Sequence, residues 1–202
     1  MTIVDYGLGN VQAFVEIYRR LNIPVSVAQT REELASAQKI ILPGVGAFDW
    51  AMERLNASGM RDVLDHLVME DGHPVLGVCV GMQMMARRSD EGELPGLGWI
   101  PGEVKHFGDA SLSRKIQLPH MGWNDAVPRK GDCLFNGITN PRYYFLHSYY
   151  FIPDCEADII ATTNYMENFT SAVRSRNIFG TQFHPEKSHK WGIQLLKNFA
   201  EV

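Results

Sequence analysis

Short apolar runs rich in β-branched residues alternate with segments of helical period through the first half of the chain, and this alternation confines it to a parallel sheet flanked by helices. Ile3-Val4, Val25-Ser26-Val27, Lys39-Ile40-Ile41-Leu42 and Pro74-Val75-Leu76-Gly77-Val78 read as strands. After the first, Gly7-Leu8-Gly9-Asn10 turns into a helix that runs to residue 21, with Phe14, Ile17, Tyr18 and Leu21 on one face. Thr30 with Glu33 has the pattern of a capping box, and Pro43-Gly44-Val45-Gly46 interrupts the third strand. Helical stretches follow over 50–56 and 60–70, and the run 80–88 reads as a helix after Cys79. From 89 to about 102 the chain is rich in Gly and Pro and reads as loop. Short strand-like runs then occupy 103–107, 143–147, 159–163, 172–174 and 178–183, and a last helix spans 189–199. The expectation is an α/β fold: a single three-layer domain over residues 1–202 with a mixed, mostly parallel central sheet.

Composition narrows the function classes. The 202 residues are 45% hydrophobic and 21% charged, an ordinary globular balance. The formal net charge is −4 and Lys and Arg are scattered, which argues against nucleic acid or an anionic membrane as partner. Cys79, Cys133 and Cys155 lie far apart with no CxxC or Cys/His metal spacing, so neither a disulfide framework nor a metal site is expected, and no cofactor. No apolar run approaches the ~18 residues of a membrane span, and Met1-Thr2-Ile3-Val4-Asp5 lacks a basic leader, so the expected location is cytoplasmic.

The chemistry concentrates at Gly77-Val78-Cys79-Val80-Gly81, which follows an apolar strand and precedes a helix, the setting of a nucleophile elbow with cysteine at its apex. A sharp strand-to-helix turn lifts the central side chain above the sheet, and only residues without bulk fit the pinched backbone beside it. Alone, five such residues equally describe a buried cysteine in a glycine-rich turn. The far end of the chain adds Gly180-Thr181-Gln182-Phe183-His184-Pro185-Glu186. Proline forces the preceding residue out of the helical region, so His184 is extended and Glu186, two residues on, points the same way. Cys79, His184 and Glu186 then form a nucleophile, a base and the group that orients the base. Attack on a carbonyl also needs donors for the developing oxyanion; the Pro43-Gly44-Val45-Gly46 turn and the Val80 N–H after the nucleophile can supply them.

These motifs, PGVG, GVCVGMQ and FHPEKS in that order along the whole chain, resemble the class I glutamine amidotransferases. Asp5-Tyr6-Gly7-Leu8-Gly9-Asn10, Pro119-His120-Met121-Gly122-Trp123-Asn124 and Tyr144-Phe145-Leu146-His147-Ser148-Tyr149-Tyr150 are similar to the glutaminase subunits of imidazole glycerol phosphate synthase within that family. The resemblance implies hydrolysis of L-glutamine to glutamate and ammonia through a thioester on Cys79, with His184 and Glu186 completing the triad and the backbone of Val45 and Val80 receiving the oxyanion. It places the substrate on Gly46, Gln83, Ser148 and Tyr149, and on an acid of the following loop, Glu91, with Asp90 and Glu93 close by. It implies a heterodimer with a (βα)8-barrel cyclase subunit that uses the ammonia in histidine biosynthesis, facing Asn10, Met121, Trp123 and Lys187. His120 and His147 receive no catalytic role. As a loop, the Pro119–Asn124 stretch could instead plug the core.

Val11-Gln12-Ala13-Phe14 and Ser188-His189-Lys190-Trp191-Gly192 look more like paralogues that feed ammonia, through a cyclase-like barrel, to an amidotransferase acting on a nucleotide-sugar in lipopolysaccharide biosynthesis. Two other classes stand further off. A non-catalytic regulatory subunit would not need all three triad residues, and a dienelactone-hydrolase-like cysteine hydrolase would take its acid from a separate strand.

Overall fold

In the computed structural model, residues 1–108, 117–165 and 167–202 are described. The elements run β1 (Thr2–Val4), α1 (Val11–Arg20), β2 (Ser26–Ala28), α2 (Arg31–Leu34), β3 (Ile40–Gly44), α3 (Phe48–Ala57), α4 (Arg61–Asp65), β4 (Val75–Cys79) and α5 (Val80–Gln83). The second half adds β5 (Arg88–Ser89), β6 (Gly102–His106), β7 (His120–Asp125), β8 (Val127–Pro128), β9 (Arg142–His147), β10 (Tyr149–Pro153), β11 (Ile159–Tyr165), β12 (Glu167–Ser175), β13 (Ile178–Thr181) and α6 (His189–Glu201).

Eight strands form the main sheet in the order β2-β1-β3-β4-β13-β12-β11-β8. From β2 to β13 every pairing is parallel; from β13 to β8 every pairing is antiparallel. Every residue of β3, β4 and β13 is buried, so both faces of the sheet centre are covered, as continuous apolar strands require. Helices α1 and α6 pack together over one region and α3 on α5 over another. The α/β, three-layer, mixed-sheet expectation holds. A small sheet, β10-β6-β5, and the two-stranded ribbon β7-β9 stand beside the main one.

Register carries the functional consequence. Gly44 is opposite Cys79 and Thr181 opposite Val78, so β3, β4 and β13 end together at one edge. This is the carboxyl edge of a parallel sheet, where α/β folds place their ligands.

Several local expectations are corrected. The third strand is not interrupted at Pro43 but continues through Gly44. The helix after Cys79 ends at Gln83 rather than near 88, because the chain folds back and other donors take its carbonyls: Leu97 N–H on Met84 O at 2.7 Å, Ile100 N–H on Met85 O at 3.1 Å and Gly98 N–H on Ala86 O at 3.0 Å. The Pro119–Asn124 stretch is not a loop: from His120 it is strand β7, paired with β9 from His120–His147 to Asp125–Arg142. No helix is long and apolar enough to cross a membrane among the described residues, and those residues hold no cluster of metal-ligating side chains.

Candidate active site

Cys79 ends β4 with φ 56° and ψ −113°, a left-handed backbone that a side-chain-bearing residue adopts only when its surroundings impose it. The surroundings are glycines. A Cβ on Gly81 would lie 2.0 Å from the Leu42 carbonyl oxygen, and one on Gly77 would lie 2.6 Å from the Gly81 oxygen. Helix α5 is thereby pressed onto the ends of β3 and β4, and the turn between them is closed enough to hold the cysteine at its apex. The Cys79 thiol faces the Leu146 carbonyl at 3.9 Å, and the Gln182 amide donates to Sγ at 3.9 Å.

His184 follows β13 and forms a bridge to Tyr144, with its N–H on the Tyr144 carbonyl at 2.9 Å. Ser188 clamps the same junction: its Oγ donates to His184 O at 2.6 Å and accepts from Tyr144 N–H at 3.0 Å. The His184 backbone is thus held on both sides of its Cα. Its Nδ1 meets Glu186 Oε1 at 2.9 Å, and both side chains are 2% exposed. Burial alone would lower the His184 pKa, but the Cys79 side chain and Glu186 as hydrogen-bond partners outweigh it and raise the value from 6.5 to about 10. A raised histidine pKa stabilises the fold fully below the unfolded value and progressively less as pH climbs through the folded one. Between pH 6 and pH 9.5, wild type is therefore expected to lose urea resistance, and Glu186→Gln to lose less of it; equal losses in the two proteins would show that Glu186 does not hold the imidazolium.

Val45, Gly46, Cys79, Val80, Gln83, Glu91, Ser148, Tyr149, His184 and Lys187 all line one cavity of about 320 Å³, while Glu186 sits behind His184. The acidic loop resolves into distinct roles. Glu91 reaches the cavity, its Oε2 accepting the Phe48 N–H at 2.9 Å; burial raises its pKa and the Phe48 bond opposes the rise. Asp90 instead pairs with Lys105 at 3.2 Å, and the Glu93 N–H is tied to Asp49 at 2.9 Å. In the Pro43–Gly46 turn the two glycines differ. A Cβ on Gly44 would lie 2.4 Å from Gly81 N, so Gly44 is a packing glycine, whereas Gly46, at φ +92°, has only Trp50 near its Cβ position, at 3.9 Å.

The residues assigned to a partner lie on the same side. Asn10 precedes α1 without capping it, near the end of β3: a Cβ on Gly9 would lie 2.6 Å from Pro43. On β7 the Met121 and Trp123 side chains are exposed while His120 is buried. Trp123 stacks on His189 with ring centroids 5.2 Å apart, and the Lys187 ammonium lies 5.8 Å from the Tyr144 ring.

The sequence reading gave no site role to Pro119, Leu146 or His147, which also line the cavity, nor to Gln182 behind the sulfur. Gln182 is fully buried between Thr181 and Phe183 and donates to the sulfur. Its signal was a glutamine inside an otherwise apolar strand end, a place where an amide must find partners.

A family profile described as glutamine amidotransferase class-I matches residues 2–202. Among curated proteins, the chain is 58% identical to the imidazole glycerol phosphate synthase subunit HisH of Bdellovibrio bacteriovorus over 201 residues, 99% of this chain and 98% of that protein. It is 51% identical to the subunit of the same name from Leptospira interrogans, again over 99% of this chain and 98% of the other. Among solved structures, one described as a glutamine amidotransferase superposes with a TM-score of 0.75 at 20% identity, covering 100% of this chain and 99% of that one, a likeness of fold.

Proposed function

The chain belongs to the class I glutamine amidotransferases, and from that membership we propose that it is the glutaminase subunit of an imidazole glycerol phosphate synthase, residues 1–202 acting as one glutaminase domain. The observation that carries the reading is the meeting of Cys79, on a strained elbow, with His184 and its buried Glu186 partner at one cavity.

His184 holds the proton of the Cys79 thiol, and the sulfur attacks the carboxamide carbon of L-glutamine. The N–H groups of Val45 and Val80 meet the oxyanion, which matters most because it forms in the transition state. His184 returns the proton to the departing nitrogen, the C–N bond breaks and ammonia leaves a thioester on Cys79. Water, deprotonated by His184, adds to the thioester, the C–S bond breaks, and glutamate departs with the thiol restored. Glu91 is suited to the substrate ammonium, since it is the acid of its loop that reaches the cavity. Gln83, Gly46, Ser148 and Tyr149 form the rest of the substrate wall.

The ammonia passes to a (βα)8-barrel cyclase subunit docked on Asn10, Met121, Trp123 and Lys187. An exposed tryptophan on the same strand as an exposed methionine has the composition of an interface anchor. The test is glutamate release by the purified chain, titrated with the cyclase barrel of histidine biosynthesis and, separately, with a cyclase-like barrel from nucleotide-sugar pathways. We expect turnover to rise on addition of the first, and Trp123→Ala to weaken association by about 30-fold or more. Activation by the second barrel alone would redirect the ammonia to sugar modification, and full activity unchanged by either would overturn the partnership.

A further inference from the structure

We infer that His120, His147, Gln83 and Gln182 are positioning residues joined in one directed hydrogen-bond chain that ties strand β7 to the Cys79 sulfur, an inference that rests on the glutaminase reading only in what the sulfur is for.

The direction of every bond follows from one acceptor. The Tyr149 carbonyl can only accept, and His147 Nδ1 lies 2.8 Å from it, so His147 carries its proton on Nδ1. Burial pulls the His147 pKa down to about 3 and that of His120 to about 4, so both rings are neutral at pH 7. His147 Nε2 is therefore an acceptor, and His120 Nδ1, 3.0 Å away, must donate to it. His120 Nε2 then accepts in turn, from the Asn124 amide at 3.2 Å, while that amide also donates to Asn164 O at 2.9 Å.

The other arm leaves from the same carbonyl. Gln83 Nε2 donates to Tyr149 O at 3.1 Å and to Gln182 Oε1 at 3.0 Å, which uses both its amide hydrogens and fixes the Gln182 amide with its nitrogen toward Sγ. No member can flip its amide or change tautomer without breaking the bond on each side. Gln83 accordingly offers the cavity only its oxygen.

The chain is also held mechanically. The His120 ring is sandwiched between Tyr165, centroids 3.9 Å apart, and Phe145, at 4.7 Å. His120 and Asn124 occupy the inward face of β7, and Met121 and Trp123 the outward face. Pressure on the outward face therefore moves the donors at the head of the chain, and the sulfur lies at its tail. Buried networks of this kind are rigid when every member is satisfied and fail as a unit when one is not.

The test compares His120→Phe, which keeps a ring in the sandwich and removes both bonds, with His120→Asn, whose amide can stand in for the Nδ1 donor, and with Gln182→Leu. Iodoacetamide alkylation is followed by mass spectrometry on the peptide containing Cys79, and imidazole tautomers by nitrogen-15 NMR, with urea unfolding confirming that each protein is folded. We expect both histidines as Nδ1–H tautomers in the wild type. Alkylation of Cys79 should change by about three- to tenfold in His120→Phe and in Gln182→Leu, return to within about twofold of wild type in His120→Asn, and change no further in the double variant His120→Phe/Gln182→Leu. An Nε2–H tautomer on either ring, or effects that multiply in the double variant, would overturn the chain. If His120→Phe fails to fold, the tautomers and the Gln182→Leu and His120→Asn results decide alone. None of these readouts uses glutamine, so their failure is distinguishable from a failure of the glutaminase reading, which would appear as absent turnover with the tautomers in place.

Discussion

Cys79→Ala is expected to lower glutamine hydrolysis by about 10⁴-fold or more while leaving the fold and partner binding intact. The size follows from the proposed chemistry: without the sulfur no thioester forms, and direct attack of water on an unactivated amide is left with only the oxyanion donors and substrate binding to assist it. The fold is spared because alanine keeps the Cβ, so the φ of 56° is no more strained than before, and what is removed is one sulfur facing a cavity. A glutamine-shaped electrophile should label Cys79 alone. The comparison is informative because Cys155 is exposed and Cys133 half-buried, so a reagent guided by accessibility would favour Cys155 over the buried Cys79. Inactivation accompanied by label on Cys133 or Cys155, with Cys79 unmodified, contradicts the assignment.

Gly81→Ala should destabilise the protein by about 3 kcal/mol or more and abolish turnover with it. The added methyl would stand 2.0 Å from the Leu42 carbonyl oxygen, and the obstacle is backbone in the middle of the sheet, which cannot swing aside as a side chain would. Relief requires α5 to lift from β3, which carries the Val80 N–H and the Cys79 turn away from His184. Gly59→Ala is the contrast: at φ +72° with open space around it, it should cost about 1–2 kcal/mol from backbone strain alone and leave turnover unchanged. Matching urea midpoints for the two variants would mean that the close approach at Gly81 is not what shapes the elbow.

The sequence revealed the parallel half of the sheet because its inner strands are buried on both faces, and continuous apolar runs such as Ile40-Ile41-Leu42 survive any reading frame. The meeting of Cys79, His184 and Glu186 was legible for a related reason: an elbow and a His-Pro-Glu turn are dictated by local backbone geometry. Strand β7 was not legible. Its inward positions hold His120, Gly122 and Asn124 and its outward ones Met121 and Trp123, so the alternation is inverted relative to an ordinary half-buried strand. The early end of α5 was hidden as well, since Met82, Met84 and Met85 suit a helix and only the returning segment 96–100, distant in sequence, claims their neighbourhood. Gln182 illustrates a third limit, for its partners Gln83 and Cys79 lie 99 and 103 residues away.

Strand β13 sits between β4 and β12, at the centre of the sheet, yet it comes from residues 178–181. A growing polypeptide that has emerged only as far as β12 lacks both the inner strand of its sheet and the His184 beyond it. Its cysteine is then an ordinary thiol on an unclosed scaffold. Under the proposed mechanism, competence therefore waits until a segment about a hundred residues downstream of the elbow threads into place. A chain that stops short of residue 184 is then expected to release no ammonia from glutamine.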